Sequence, residues 1–332
     1  MTAPVTTSRF TEAFQLSAPI AQAPMAYAAG GALAAACAQA GALGLVGGGY
    51  CELPWLQREY NLALSLGPRE RIGCGFITWK LDEDASALDW VLQHRPRAVM
   101  LSFSDPRPYA RRIADAGAAL ICQVQRMAQI PMAIEAGAAV VVAQGGEAGG
   151  HGMNALNGRA VMSFVPEAAD WLARHSPATL LLAAGAVADG RGLAAARVLG
   201  ADGALVGSRL WATQESLAPQ TAKRHALAEN GDASARSSVF DILRRKDWPA
   251  PYDFRALRNE LHRRWEKNID ELRASPDAAR EEFEQAAAAG DFTRANVTLG
   301  EAVGLIRDIP PAGEVIARMM QEALEALSRY RA

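Results

Sequence analysis

Residues 179–213 read TLLLAAGAVADGRGLAAARVLGADGALVGSRLWAT and contain one complete repeat of a strand, a turn, a helix and a second strand. An apolar run, Thr179–Ala184, precedes a glycine turn, and the alanine-rich segment Arg191–Leu199 then leads to a second apolar run, Gly203–Val206. Continuous apolar runs are typical of parallel strands, because helices cover both sheet faces or because the sheet closes on itself. The stretch therefore predicts a repeating β/α fold.

The same rhythm occupies the chain between residues 19 and 208. Apolar runs recur at intervals of roughly 20 to 30 residues, with helix-like segments between them. This pattern predicts an α/β fold of the (β/α)8 type, a TIM barrel, whose usual length is about 250 residues. An open doubly wound sheet is the alternative, since periodicity alone does not show closure. The predicted strands are Pro19–Met25, Leu43–Gly47, Ile72–Ile77, Ala98–Phe103, Ala119–Val124, Ala139–Ala143, Thr179–Ala184 and Gly203–Val206.

The repeat ends near Glu215, where the chain becomes charged and helical. We predict a barrel over residues 1–214 and an α-helical cap or lid over residues 215–308, whose charge runs are solvated helix faces. The stretch Ala312–Tyr330 places apolar residues at the spacing of one buried helix face. Residues 309–332 are therefore expected to return to the barrel as a C-terminal helix.

The composition is that of a globular protein with a substantial core, since 50% of the 332 residues are hydrophobic and 21% are charged. A net charge of −2 gives no electrostatic reason to expect nucleic acid or a membrane surface as partner. The N-terminus does not read as a secretory signal, and no run has the length of a bilayer span. The cysteines Cys37, Cys51, Cys74 and Cys122 lack C-x-x-C spacing, so reduced thiols in a cytoplasmic enzyme are expected.

The end of the sixth predicted strand, VVVAQGGEAGGHGMN at residues 140–154, carries the strongest chemical signal. Five glycines within eight positions allow backbone to approach a ligand closely. His151 lies among them at a strand end, where barrel enzymes place catalytic residues, and its ordinary pKa near 6.5 suits proton transfer. A flexible loop and a structural histidine are the alternatives. No zinc-ligand spacing and no G-x-S-x-G motif accompany it, so no metal is predicted.

The seventh and eighth strand ends predict a phosphate site. Gly185 and Ala186 follow one strand, and Gly207 and Ser208 follow the next. Small residues expose backbone N–H groups, helix N-termini favour anions, and the loops after strands 7 and 8 are the usual phosphate grip of such barrels. Tight turns that require glycine are the alternative for either loop taken singly.

These motifs together resemble the nitronate monooxygenase family, also called 2-nitropropane dioxygenases, which are FMN-dependent β/α barrels. The resemblance is carried by residues 19–49 (PIAQAPMAYAAGGALAAACAQAGALGLVGGG), 143–152 (AQGGEAGGHG), 183–192 (AAGAVADGRG) and 199–213 (LGADGALVGSRLWAT). It covers the chain from Pro19 to about Ser216. Ile77 or Thr78 stands about where many members of the family have asparagine, and Gly185-Ala186 replaces a common Gly-Gly pair.

The resemblance implies an FMN site and a catalytic His151 that faces the substrate. In the family an alkyl nitronate is oxidised with O2 to a carbonyl compound and nitrite. The FMN phosphate is expected at the backbone of Gly185, Ala186, Gly207 and Ser208, with Val206 beside them. The flavin ring is expected near Ala23, Pro24 and Met25, with Gln123, Gln144, Gly145 and Gly149 around the cofactor.

Other functions stay open at this point. Related barrels include NAD(P)H:quinone reductases and FMN-type enoyl reductases, so NAD(P)H is a second candidate co-substrate at the same FMN site. A non-flavin isomerase or lyase that acts on a phosphorylated metabolite would use the phosphate loops for substrate. The expected partners are a small molecule, a nitronate or a quinone, and O2. A homodimer is compatible with the sequence, which does not specify the oligomeric state.

Overall fold

The computed structural model describes residues 7–329 and contains the predicted eight-stranded parallel barrel. The barrel strands follow the order β1-β9-β8-β6-β5-β4-β3-β2, and a parallel bridge between Ala21 and Leu43 joins the first strand to the last. The (β/α)8 fold is confirmed and the open sheet is excluded. The strands are β1 Ile20–Gln22, β2 Gly44–Gly49, β3 Ile72–Ile77, β4 Ala98–Ser102, β5 Ala119–Val124, β6 Val140–Gln144, β7 Gly150–Met153, β8 Leu180–Ala184, β9 Gly203–Val206, β10 Ser234–Ser237 and β11 Tyr252–Leu257.

Helices follow the barrel strands and make up much of the remaining chain. They are α1 Arg9–Phe14, α2 Gly31–Gln39, α3 Leu53–Leu66, α4 Thr78–Leu81, α5 Ser86–Gln93, α6 Arg107–Asp115, α7 Ile130–Glu135, α8 Val161–His175, α9 Gly190–Val198, α10 Ser208–Trp211, α11 Gln220–Leu227, α12 Val239–Leu243, α13 Glu260–Trp265, α14 Ile269–Ala274, α15 Asp277–Ala289 and α16 Ala312–Ser328. None of the helices in residues 7–329 is both long and apolar enough to cross a membrane.

The barrel interior is filled by apolar side chains from alternate strand positions. Leu45, Met100, Val142 and Leu182 belong to one buried cluster inside the barrel. Phe10 and Phe14 of helix α1 join the same cluster, so this helix packs on the barrel core. Because side chains fill the interior, a ligand can bind only at the barrel mouth.

The last helix, α16, packs against α2 and α9 on the outside of the barrel. Its buried face contains Val315, Ile316 and Met319, the residues that the amphipathic spacing indicates. The helix observed, Ala312–Ser328, ends just before Tyr330, the predicted end, and residues 330–332 lie outside the described part of the chain, as do residues 1–6.

The segment predicted as a helical cap also contains strands. β10 and β11 pair in antiparallel fashion, and β11 pairs in turn with β7, so the three strands form a separate sheet. Short strands within a charged, largely helical segment give little periodic signal, and β7 is part of the glycine-rich stretch that read as a loop. The consequence is that His151 lies on a strand of this second sheet, opposite Phe254.

Candidate active site

A deep cleft opens where the barrel strands end and the second sheet begins. It encloses about 1330 Å³ of space, its opening to solvent included. Ten of the thirteen residues that the sequence assigned to catalysis or cofactor binding lie on its wall. They are Pro24, Met25, Gln123, Gln144, Gly149, His151, Gly185, Ala186, Gly207 and Ser208.

The other three assigned residues, Ala23, Gly145 and Val206, do not line the cleft. Val206 is fully buried in β9 and packs in the layer between barrel and helices. Ala23 packs on the cluster inside the barrel, and its N–H donates to the Val206 carbonyl at 3.0 Å. A Cβ at Gly145 would lie 2.4 Å from a Val161 methyl group, so packing alone demands glycine there.

Gly149 lines the cleft, but a second backbone segment explains its identity. A Cβ at Gly149 would lie 2.6 Å from the Gly300 nitrogen, and one at Gly300 would lie 2.5 Å from the Glu147 carbonyl oxygen. The Glu301 N–H donates to that same carbonyl at 3.0 Å. The stretch around Gly300 therefore crosses directly over the glycine loop and leaves no room for side chains at the crossing.

His151 makes its main polar contact with a carboxylate from the cap. Its Nε2 atom lies 2.9 Å and 3.1 Å from the two carboxylate oxygens of Asp241, a residue of α12. Both side chains are buried, with 8% and 5% of their surfaces exposed. No motif in the sequence indicates this partner, because it lies 90 residues further along the chain in a segment that reads as a surface helix.

Burial disfavours the charged form of both members of the pair. It raises the pKa of Asp241 to about 7, against a smaller opposing effect of Arg244. It lowers the pKa of His151 well below its ordinary range, and the positive charges of Arg244 and Arg236 act in the same direction. The imidazole is therefore neutral at physiological pH, while the pair as a whole exchanges a proton near pH 7.

Aromatic rings surround the imidazole. The Trp248 ring stacks on His151 with 3.4 Å between ring centroids, and its indole N–H donates to the Tyr50 hydroxyl at 3.0 Å. Phe254 and Phe103 lie 4.7 Å and 6.4 Å from the same imidazole. The rings keep water away from His151 and give this part of the cleft an apolar wall.

Side-chain amides fix the backbone of His151. The amide N–H of Gln144 donates to the His151 carbonyl at 3.1 Å, and its amide oxygen accepts bonds from Gln125 and Gln123 at 2.9 Å and 3.2 Å. Two of these glutamines, Gln123 and Gln144, are predicted site residues that line the cleft. The network connects β5 and β6 of the barrel to β7 of the second sheet.

Two cap arginines hold the glycine loop in place. Arg236 donates to four carbonyl oxygens: those of Gly146, Ala148, Gly150 and Asp253. Arg255 adds a bond to the Gly146 carbonyl at 3.0 Å. A loop that is rich in glycine has little rigidity of its own, so these contacts fix the backbone that carries His151.

The backbone at the ends of β8 and β9 supplies donors for an anion. Within the described residues the N–H groups of Gly185, Ala186, Val187 and Gly207 donate to no backbone carbonyl. Gly185 has a φ of +105° and Ala186 a φ of +58°, conformations that turn the chain sharply at the cleft wall. A Cβ on Gly207 would meet only Ala23 and Met25 at 3.7 Å and 3.8 Å, so a ligand has access to this backbone. These features fit the phosphate of FMN.

The N-terminus of α9, by contrast, already has its acceptors. The Asp189 carboxylate accepts from the Gly192 N–H at 3.0 Å, and the Glu322 carboxylate of α16 accepts from the Gly190 N–H at 2.8 Å. Carboxylates of the protein itself therefore occupy the helix N-terminus at which the sequence pattern predicts an anion. Any phosphate at this strand end must bind the loop rather than the helix.

In residues 7–329, no three His, Cys, Asp or Glu side chains cluster in a way that could hold a metal ion.

The fold and the cleft define a cofactor-dependent β/α-barrel enzyme with one buried imidazole at the mouth. The nitronate monooxygenase family model matches residues 70–322, and the chain belongs to this family of oxidoreductases. A nitronate monooxygenase of Neurospora crassa is 33% identical, with 94% of this chain and 91% of the relative covered. Nitronate monooxygenase npaC of Metarhizium robertsii is 31% identical over 93% and 92%.

Solved structures agree in fold over nearly the whole chain. Nitroalkane oxidase from Streptomyces ansochromogenes superposes with a TM-score of 0.78 at 25% identity, covering 96% of this chain and all of that one. FabK from Thermotoga maritima gives a TM-score of 0.80, also at 25% identity, over 97% and 98% of the two chains. Both likenesses extend across the cap as well as the barrel.

Proposed function

We propose that the protein is an FMN-dependent nitronate monooxygenase that oxidises alkyl nitronates with O2 to a carbonyl compound and nitrite. The observation that carries the proposal is the His151–Asp241 pair, beside a cleft that is also lined by open backbone at Gly185, Ala186 and Gly207. Membership of the family and the names of the relatives support the substrate class.

Ten cleft residues would hold or face the flavin, with the phosphate on the loops after β8 and β9 and the ring against Pro24 and Met25. FMN would supply the redox chemistry, because it can accept electrons from an organic substrate and return them to O2. Gln123 and Gln144 place amide groups on the same wall, where they can bond to polar ring atoms.

His151 is the group that holds or moves the proton. Above pH 7 the ionised Asp241 accepts the Nε2–H bond, which leaves the lone pair on Nδ1 of a neutral imidazole. That nitrogen can accept a proton from the carbon next to a nitro group. Trp248 and Phe254 exclude water from the imidazole and so strengthen its electrostatic contacts.

The cap completes the site in this proposal. Residues 215–308 provide Asp241, Trp248 and Phe254, while residues 1–214 provide the cofactor loops and His151. Helix α16, within the predicted segment 309–332, packs on the barrel from outside. A homodimer and a cytoplasmic location remain predictions, which sedimentation velocity and cell fractionation test directly.

Oxygen uptake with an alkyl nitronate, in the absence of NADH and NADPH, tests the proposed function. The expected result is one nitrite formed for each nitronate consumed. Uptake that requires NADH or NADPH would instead favour the reductase alternative. A yellow protein that is inactive with every nitronate tried would contradict the proposed substrate class but not the proposed FMN cofactor.

A further inference from the structure

Arg244 occupies an unusual position for a cation in this molecule. It caps the C-terminus of α12 and lines the cleft, with only 17% of its side chain exposed. Its Nη1 atom is buried and has no hydrogen-bond partner within residues 7–329. A guanidinium N–H that is buried without an acceptor is unfavourable, so this atom is poised to bond to a group that enters the cleft.

The neighbours of Arg244 do not satisfy this atom. The nearest carboxylate oxygen, Oδ1 of Asp241, lies 4.0 Å from Nη1, too far for a hydrogen bond, and that oxygen already contacts His151. The guanidinium lies over the Phe254 ring, 4.6 Å from its centre. Among the cleft-lining residues that the structure describes, Arg244 is the one lysine or arginine.

The acidic residue on the cleft wall does not neutralise this charge. Both carboxylate oxygens of Glu147 bond to the Val161 N–H, at 2.9 Å and 3.2 Å, so Glu147 is committed to the start of α8. The cleft near His151 therefore combines an apolar aromatic wall with one cation that lacks a counter-ion contact within hydrogen-bonding range.

We propose that Arg244 binds a planar, two-oxygen anionic group of the substrate beside His151 and makes the site selective for anions. A guanidinium presents parallel N–H donors that match such a group in two places at once. The chemistry is shared by a nitronate and by a carboxylate elsewhere on the substrate. This inference rests on the proposed function only for the identity of the anion.

Nitrate, an inert planar oxyanion, is the first probe. Sodium nitrate is titrated into the purified holoprotein and followed by isothermal titration calorimetry at constant ionic strength. We expect Arg244→Gln to weaken nitrate binding about 10- to 100-fold, the loss of a charged hydrogen-bonding partner. Arg245→Gln is the matched control, because Arg245 is the next residue, is exposed and pairs with Glu284 on the outer surface.

Arg244→Met covers the case in which the glutamine variant does not fold, since a methionine side chain can still pack on Phe254. The same loss of nitrate affinity is expected. Equal nitrate affinity in the wild type and in a folded Arg244 variant would overturn the proposal. Equal losses in the Arg244 and Arg245 variants would also overturn it, because they would indicate a general effect of charge.

Kinetics with three substrates distinguish the two sources of the anion. An alkyl nitronate, the neutral nitroalkane with the same carbon skeleton and a nitronate that carries an additional carboxylate are compared. If the Arg244→Gln variant has a higher KM than the wild type for both nitronates, Arg244 binds the nitronate group. If its KM is higher for the carboxylated substrate alone, Arg244 binds the carboxylate. Unchanged KM for all three contradicts the proposal.

The nitrate titration also separates this inference from the proposed function. If nitrate binding depends on Arg244 but the enzyme does not turn over nitronates, the anion site is supported and the proposed activity is contradicted. If the Arg244→Gln enzyme turns over nitronates normally and still binds nitrate, the proposed activity is supported and the anion site at Arg244 is contradicted.

Discussion

Nε2 of His151 lies 2.9 Å from Oδ1 of Asp241, and this contact joins the glycine loop of the barrel to a helix of the cap. A neutral imidazole carries one proton, and a carboxylate at Nε2 draws that proton to this nitrogen. The partner thereby determines which nitrogen is free to act as a base. The orientation of the catalytic group thus depends on a residue outside the barrel.

The first prediction concerns pH. Because the pKa of Asp241 is raised to about 7, its carboxyl becomes protonated as the pH falls below that value and then donates to Nε2. The imidazole proton moves to Nδ1, and the base is lost. We expect kcat/KM for a nitroalkane to fall as the pH drops through about 7 and to be constant above it. A profile that stays flat from pH 8 to pH 5.5 would be inconsistent with this pair.

Replacing Asp241 by asparagine should separate activity from stability. The amide side chain of Asp241→Asn cannot titrate, so the limb near pH 7 should disappear, while kcat should drop about 10- to 100-fold as the imidazole loses its orientation. Asp241 has a raised pKa, so its contribution to stability is present at low pH and is lost as the pH rises through about 7. The variant should therefore melt no lower than the wild type at pH 8.

A melting temperature well below that of the wild type at pH 8 would show that Asp241 serves the fold rather than His151. An unchanged pH profile in Asp241→Asn would assign the titration to another group. Circular dichroism melts and initial-rate profiles on the same preparations decide between these outcomes.

A bulky residue at position 207 should remove the cofactor and keep the fold. Gly207 has a φ of −103°, outside the left-handed region, and a Cβ there would make only ordinary contacts. We therefore expect Gly207→Val to fold but to bind FMN at least about 10-fold more weakly, because the side chain blocks access to the backbone donors. FMN fluorescence titration of the apoprotein measures this affinity.

Gly146→Val is the matched control for that change. Gly146 belongs to the glycine loop, does not line the cleft, and a Cβ there would have the Arg159 carbonyl oxygen as its nearest neighbour, at 3.6 Å. It should keep its FMN. Full FMN occupancy in Gly207→Val would contradict the proposal that the FMN phosphate binds the loop after β9.

Arg236 should matter for stability as well as for the site. Arg236→Met removes a buried donor from four carbonyl oxygens, of which that of Gly146 keeps its bond from Arg255, and we expect the free energy of unfolding to fall by about 2 to 4 kcal/mol. Arg258→Met is the control, because Arg258 is an exposed cap arginine whose loss should cost less than about 0.5 kcal/mol. Equal unfolding midpoints for the two variants in urea would argue against a stabilising role of the contacts between Arg236 and the glycine loop.

The barrel could be predicted because each of its strands produces its own local signal. The run Ile72–Ile77, for example, is a strand with the same bounds as the predicted one. Helices and turns between such runs leave few other arrangements. The strand ends then indicated ten of the residues on the cleft wall, since a barrel brings those ends together by its geometry.

The cap resisted prediction because its structure depends on distant pairing. β7 finds β11 about a hundred residues later, and only that pairing brings Asp241 and Trp248 to His151. Neither Asp241 nor Trp248 belongs to a local sequence motif. The N-terminus of α9 could not be interpreted for a similar reason: its acceptor Glu322 comes from α16, and the sequence alone does not show that this carboxylate occupies the helix terminus.

An anaerobic absorbance titration of the purified wild type and of His151→Asn with a neutral nitroalkane, without NADH or NADPH, tests the role of His151 as the base directly. We expect both proteins to be yellow and the wild-type flavin bands to bleach, with bleaching in the variant slower by about 10²- to 10⁴-fold. A colourless wild type that FMN does not reconstitute, or equal bleaching rates in the two proteins, would contradict the account.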